Sequence, residues 1–175
     1  GIILGWLYAV KIIKQITKNK YNYQPITTSH FDDLIIYLIL GIVVGGRLGY
    51  VIFYNFEYYA QNFFDIFKLW EGGMSFHGGL AGVILAIFIF SKRTKINFFK
   101  FSDIVACVAP IGIFLGRIAN FINGELYGKI SSLPWAIIFP YGGSVARHPS
   151  QIYEAILEGI ILFILINYLA LKKQL

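Results

Sequence analysis

At 175 residues, 57% hydrophobic, 18% aromatic and only 14% charged, the chain is too apolar for a soluble domain of ordinary composition. Its net charge of +6 falls into loops rather than along one soluble face, which excludes a nucleic-acid-binding module as the meaning of the basic balance. The composition fits an all-α, polytopic transmembrane helix bundle, read as a single integral-membrane domain over residues 1–175.

A span needs about 20 mostly apolar residues. Residues 34–54, 74–91, 104–123 and 152–171 are long enough, and residues 1–10 form a partial N-terminal span too short to cross alone. That opening run has no basic segment before it and no A-x-A-like site after it, so it reads as the remainder of a helix rather than a signal peptide. Lys11, Lys14, Lys18 and Lys20 follow the first run, Lys92, Arg93, Lys95 and Lys100 the third, and Lys172 and Lys173 the fifth. The alternate loops hold only Lys68, Lys129 and Arg147. The positive-inside rule therefore places the basic loops in the cytoplasm and the loop at residues 124–150 outside.

Ahead of the second span, Asp32 and Asp33 suit the positive end of a helix dipole. Within it, Gly41, Gly45 and Gly49 recur every four residues, the spacing that lets two helix backbones approach closely in lipid. Arg47 lies on another face as an intramembrane charge. Tyr50, Phe53, Tyr54, Phe56, Tyr58 and Tyr59 crowd the outer end as an interfacial aromatic belt, and Trp70 belongs to the interface as well. The third span opens with His77 beside Gly78, Gly79 and Gly82, an imidazole next to backbone almost bare of side chains. The histidine reads equally as a structural hydrogen-bonding group or as a catalyst.

The fourth span carries the stretch 116–128, GRIANFINGELYG. Helical periodicity stacks Gly112, Gly116, Asn120 and Gly124 on one flank, with Arg117 beside them. An arginine facing lipid at the bilayer centre costs roughly 3 kcal/mol on insertion scales, so Arg117 is expected to face a bundle interior or a wet cavity. Two readings stand: a site residue, or a structural cation that snorkels or pairs with Glu125. After the Gly-, Pro- and Ser-rich loop at 124–150, Pro149 suits a first helical position, and Gln151, Glu154 and Glu158 give the fifth span a polar stripe. Gly46-Arg47-Leu48-Gly49 and Gly116-Arg117-Ile118-Ala119 echo each other, each followed by an outward loop and a helix whose outer start bears His77 or His148. Cys107 lies mid-span as a small buried residue, and no His/Cys spacing suggests a metal.

Four segments in order, GGRLGYVIFYNF at 45–56, WEGGMSFHGGLAG at 70–82, GRIANFINGELYG at 116–128 and RHPSQIYE at 147–154, resemble prolipoprotein diacylglyceryl transferases. The resemblance implies a seven-helix fold of which this chain is a fragment, truncated at both ends. The missing parts would hold a tyrosine before residue 1 and a downstream helix bearing arginine, glutamate and tyrosine.

From the residues alone, two guanidinium groups, amide side chains and bared backbone suit an anionic phospholipid head, since guanidinium binds phosphate oxygens bidentately. The resemblance adds a reaction. The diacylglyceryl group of phosphatidylglycerol passes to the lipobox cysteine thiol of a prolipoprotein signal peptide, forming a thioether and releasing glycerol phosphate. It also implies a bacterial inner-membrane location, a site toward the outer leaflet and no cofactor. The expected catalytic set is His77, Arg117, Asn120, Glu125 and Glu154. Arg117 acts on the leaving phosphate and is oriented by Asn120 and Glu125, while His77 moves the proton, with Glu154 and His148 as alternatives. The expected lipid-binding set is Arg117, Arg47, Asn120, Gly78, Gly79, Gly128, His148 and Gln151. A transporter or channel core for an anionic or lipid substrate, or a structural membrane subunit, would use similar arginines and glycine seams.

Overall fold

The computed structural model describes residues 1–18 and 26–173. The fold is all-α. Its helices are α1 (Ile2–Lys18), α2 (Thr28–Phe53), α3 (Phe56–Gln61), α4 (Phe76–Thr94), α5 (Phe98–Asn123), α6 (Ser150–Glu154) and α7 (Leu162–Lys173). Two 3₁₀ turns, Phe63–Phe67 and Leu69–Glu71, precede α4, and a π-helical segment, Ala155–Ile161, joins α6 to α7. Among the described residues the only β pairing is a set of isolated bridges linking Arg147 to Ile130 and Ile137.

Among the described residues four helical stretches are long and apolar enough to cross a membrane: Thr28–Phe53, Phe76–Thr94, Phe98–Asn123 and Ser150–Ala170. The protein is a multi-pass membrane protein. Each expected span is recovered, but the helices outlast their apolar runs. Lys11 and Lys14, expected in a loop, lie on α1, whose buried face is Ala9, Ile12 and Ile13. Lys92 and Arg93 lie on α4, Lys100 on α5 and Lys172 on α7. Helical hydrogen bonding is satisfied by backbone alone, and long cationic side chains keep their heads in water while the helix continues. Lys20, counted with the first basic loop, lies outside the described residues.

The chain packs as two compact units, Tyr21–Ser102 and Gly1–Lys20 with Asp103–Leu175. In the first, α2 begins six residues before its apolar run. Thr27 and His30 form a reciprocal capping box: the Thr27 hydroxyl accepts from the His30 amide at 3.3 Å, and His30 Nδ1 accepts from the Thr27 amide at 3.2 Å. Asp32 and Asp33 consequently lie past the first turn. The glycine seam is filled by α4: a Cβ on Gly45 would stand 2.4 Å from the Gly78 carbonyl oxygen, and one on Gly82 only 1.9 Å from that of Gly41. Backbone meets backbone there, which no larger residue allows. Ser75 caps α4 by accepting from the Gly78 amide at 3.2 Å, while its own amide donates to the Gly46 carbonyl at 2.9 Å.

The second unit is locked by a buried amide. Asn167 on α7 donates to the Cys107 carbonyl at 3.0 Å and the Phe163 carbonyl at 2.9 Å, and accepts from the Tyr8 hydroxyl at 3.0 Å. One side chain thus ties α1, α5 and α7. Around it pack Ile12, Cys107 and Ala170, so the cysteine is a core residue, as its position suggested.

Candidate functional site

Arg117 and Asn120 stand one turn apart near the end of α5. Gly124 then takes φ +69, a left-handed angle that glycine adopts without steric cost, and folds the chain back. The Glu125 amide consequently donates to the Asn120 carbonyl at 2.8 Å, and Asn120 Nδ2 donates to Glu125 Oε2 at 3.3 Å. Asn120 and Glu125 therefore hold each other. The expected orientation of Arg117 by Glu125 is replaced by an ion pair with the next span: Arg117 Nε lies 2.8 Å from Glu154 Oε2, and its Nη2 lies 3.9 Å from Glu158 Oε2. The Nε–H is not aimed at Glu154 Oε2, which is left without a directed hydrogen bond despite the short distance. Arg117 and Glu154 remain 30% and 34% exposed as side chains, while the contacting Glu154 Oε2 is itself buried.

Glu158 approaches from the π-helical segment, where Gly159 is essential to the packing, since a Cβ there would stand 2.7 Å from that of Phe114 on α5. π-Helical turns recur at functional sites. Gln151, one turn before Glu154, is wholly buried. Its Nε2 donates to the Glu125 carbonyl, which fixes the amide orientation and leaves Oε1 without a partner.

The connecting loop is ordered around Arg147 and His148. Arg147 exchanges both backbone hydrogen bonds with Ile137 at 2.9 Å. Its guanidinium donates to the Gly142 and Gly128 carbonyls at 3.1 and 3.4 Å and covers the Tyr127 ring at 5.0 Å. The Gly128 amide donates to the His148 carbonyl at 2.9 Å, and a Cβ at Gly128 would collide with His148 at 2.9 Å. Gly128 thus positions His148 by its lack of a side chain. Pro149 stands one residue before the first helical position expected for it, because α6 begins at Ser150.

In the other unit Arg47 is 3% exposed and its guanidinium is saturated. Nε donates to the Ile66 carbonyl at 2.8 Å, Nη1 to those of Gly72 and Gly73, and Nη2 to those of Asp65 and Lys68 at 2.7 and 3.1 Å. Tyr59 covers its face at 5.2 Å. A guanidinium has five N–H groups, so none remains for a phosphate oxygen, and the lipid-binding expectation for Arg47 gives way to a tether for the segment between α3 and α4. Gly78 likewise spends its bare backbone on Gly45, whereas Gly79 meets only the Ile42 carbonyl at 3.8 Å. His77 is exposed in the first turn of α4, edge-on to Phe76 at 5.7 Å. Among the described residues no group of three or more His, Cys, Asp or Glu side chains is placed to hold a metal.

Four elements of these surroundings escaped the sequence reading. The carbonyl cage of Arg47 has no residue-type signature, since backbone is its ligand. Glu158 was visible four residues after Glu154 but was not assigned to the site. The remaining two are Tyr153 and Trp135, whose spacing in the sequence does not show that their side chains meet.

The sequence pattern of the prolipoprotein diacylglyceryl transferase family matches residues 1–175. The chain belongs to that family. It is 49% identical over 174 residues to a phosphatidylglycerol–prolipoprotein diacylglyceryl transferase of Rhizobium meliloti (strain 1021), covering 99% of this chain and 62% of the relative. It is 53% identical over 174 residues to one of Rickettsia felis (strain ATCC VR-1525 / URRWXCal2), covering 99% and 65%. The chain therefore spans less than two thirds of the length of these curated relatives. The likeness favours a transferase over a transporter core.

Proposed function

We propose that these helices carry the lipid-binding part of an enzyme that moves the diacylglyceryl group of phosphatidylglycerol to the lipobox cysteine of a prolipoprotein signal peptide. The sulfur forms a bond to the terminal glyceryl carbon, the bond from that carbon to the phosphate oxygen breaks, and glycerol phosphate leaves with the electron pair. The thiol proton passes to a base, since thiolate is the competent nucleophile. The family membership supports this reading, and the observation that carries the site is the Arg117–Glu154 pair, a reachable guanidinium whose fork is only partly committed.

In this reading Arg117 exchanges its loose carboxylate contact for the phosphate and stabilises the charge that grows on the departing oxygen, an interaction stronger in a dry site than in water. Asn120 and Glu125 hold the end of α5, and Gln151 fastens that turn to α6. His77 remains the candidate for taking the thiol proton. The site opens to the outer leaflet of the inner membrane, with residues 124–150 outside, in accord with the alternation of basic loops. The test is incubation of the intact encoded protein in phosphatidylglycerol membranes with a lipobox peptide, followed by mass analysis. A diacylglyceryl adduct on cysteine is expected; substrate movement across the membrane without an adduct would return the transporter reading.

A further inference from the structure

Tyr153, in the RHPSQIYE stretch, stands between two ring partners. The Trp135 indole Nε1–H donates to its hydroxyl oxygen at 2.7 Å, and that hydroxyl lies 3.1 Å from His148 Nδ1. The His148 and Tyr153 rings meet at 5.9 Å with an interplanar angle of 65°, so the contact is made through the polar edges rather than by stacking. One arrangement of protons satisfies all three groups. An indole N–H only donates, a phenol has one proton, and a neutral imidazole has one donor and one acceptor nitrogen. With Trp135 donating to the phenol oxygen, and with His148 Nδ1 the one acceptor in reach of the phenol proton among the described residues, sending that proton to Nδ1 leaves both groups satisfied. A ring nitrogen that accepts carries no proton, so neutral His148 bears its proton on Nε2. The backbone is fixed as well: the His148 amide donates to the Lys129 carbonyl at 3.0 Å, its carbonyl accepts from Gly128 at 2.9 Å, and Pro149 follows. Among the described residues Nε2 has no polar partner.

Resting on the transferase reading, we propose that Tyr153, itself oriented by Trp135, is a positioning residue that sets His148 as an Nε2–H donor for the phosphate oxygens of the lipid substrate. The same contact removes His148 from the candidates for the thiol's base, because its acceptor nitrogen is occupied and its other nitrogen is protonated. That leaves the proton transfer to groups elsewhere.

The test uses the intact protein in detergent micelles with ¹⁵N-labelled histidine. His148→Gln assigns the relevant resonance among those of the protein's histidines. The expected wild-type signature is a single neutral tautomer protonated on Nε2. Tyr153→Phe should convert it to a mixture of tautomers and slow adduct formation about tenfold, the scale on which loss of an orienting partner acts. Should Tyr153→Phe fail to fold, Trp135→Phe provides the same readout, with a smaller redistribution because the phenol then rotates freely. Added phosphatidylglycerol should move the Nε2 resonance, and inorganic phosphate at equal concentration should not. A wild-type Nδ1–H tautomer, or a Tyr153→Phe spectrum identical to wild type, overturns the proposal whatever the turnover. Movement by inorganic phosphate overturns the lipid assignment, and movement by neither overturns the donor role. A wild type that yields no adduct overturns the transferase reading instead, and the tautomer result stands apart from it.

Discussion

Arg47 and Arg117 occupy similar short sequences, Gly46-Arg47-Leu48-Gly49 and Gly116-Arg117-Ile118-Ala119, and the two units give them opposite surroundings. Arg47 is 3% exposed, with every N–H on a backbone carbonyl, while Arg117 is 30% exposed and meets two carboxylates without a directed hydrogen bond. Donor saturation, not residue type or sequence context, is what differs between the two guanidinium groups. A carbonyl cage carries no net charge and has no reason to exchange. A pair of partly exposed carboxylates is, in the proposed reading, a competitor that an incoming phosphate displaces.

The sharpest way to break this contrast is to make the same substitution at both positions in the intact protein. Arg117→Lys keeps the charge and loses the planar fork, so adduct formation should fall by on the order of a hundredfold with little change in thermal stability. Arg47→Lys offers three donors where five carbonyls wait, leaving at least two without their partner. It should lower stability by about 3 kcal/mol, while each surviving folded molecule turns over near the wild-type rate. Rates per folded molecule and thermal midpoints, measured on the same samples, decide the matter. Normal turnover in Arg117→Lys would remove it from the chemistry, and an unaltered midpoint in Arg47→Lys would remove the tether.

Next in size comes the glycine contrast between the units. Gly82→Ala places a methyl group inside the Gly41 carbonyl, so α2 and α4 must separate, at a cost of about 2 kcal/mol. Gly116→Ala meets nothing within 4 Å and should leave stability unchanged or slightly raised. Equal thermal shifts for the two would show that the seam is looser than its geometry. Any loss of turnover in Gly116→Ala at full stability would mark that open flank as ligand space.

Much of the molecule was legible in advance, for reasons these residues make plain. Spans are written in runs of apolar residues, and the seam in the four-residue spacing of Gly41, Gly45 and Gly49, because membrane helices have little besides length and close approach to specify them. The motif stretches named Arg117, Asn120, Glu125, Gln151 and Glu154 as candidates, and the structure puts all five in one unit. Their pairing was not legible. Which carboxylate meets Arg117 depends on the turn at Gly124 and on the π-helical phase before Gly159, and neither follows from helical periodicity. Lys11 and Lys14 failed the loop assignment for a similar reason, since hydropathy reports where a helix is buried and not where its backbone stops.

A smaller test lies on the second carboxylate. Glu158 Oε2 is 3.9 Å from Arg117 Nη2 and the side chain is about half exposed, so Glu158→Gln should alter lipid KM by no more than a few-fold. Glu154→Gln removes the 2.8 Å contact and should have the larger effect. A reversed order would place the ligand's competitor at Glu158.

The smallest expected effect concerns how the Arg47 tether shares its task with charges on the same segment. Asp65 accepts from the Tyr58 hydroxyl at 2.6 Å and lies 2.7 Å from Lys68 Nζ. The Lys68 hydrogen bond first, and that of Tyr58 second, hold the Asp65 carboxyl below its ordinary 3.8, while Asp65 raises Lys68 above 10.5 and Tyr58 above 10.0. The signs agree. A lowered acid contributes stability that is present above 3.8 and is lost as pH falls through the folded value. Raised Lys68 and Tyr58 contribute stability that is present below their ordinary values and is lost as pH rises past them. Amide exchange in residues 62–73, corrected for its intrinsic pH dependence, should therefore be flat between these limits and rise only outside them. The groups are solvent-exposed, so salt should weaken the latch, and Asp65→Asn should speed exchange by a few-fold at most. Arg47→Lys should speed it by more than tenfold and leave no acid limb of its own, because the carbonyl cage does not titrate. A larger effect from Asp65→Asn than from Arg47→Lys would mean that side-chain charge, and not the carbonyl cage, holds this segment.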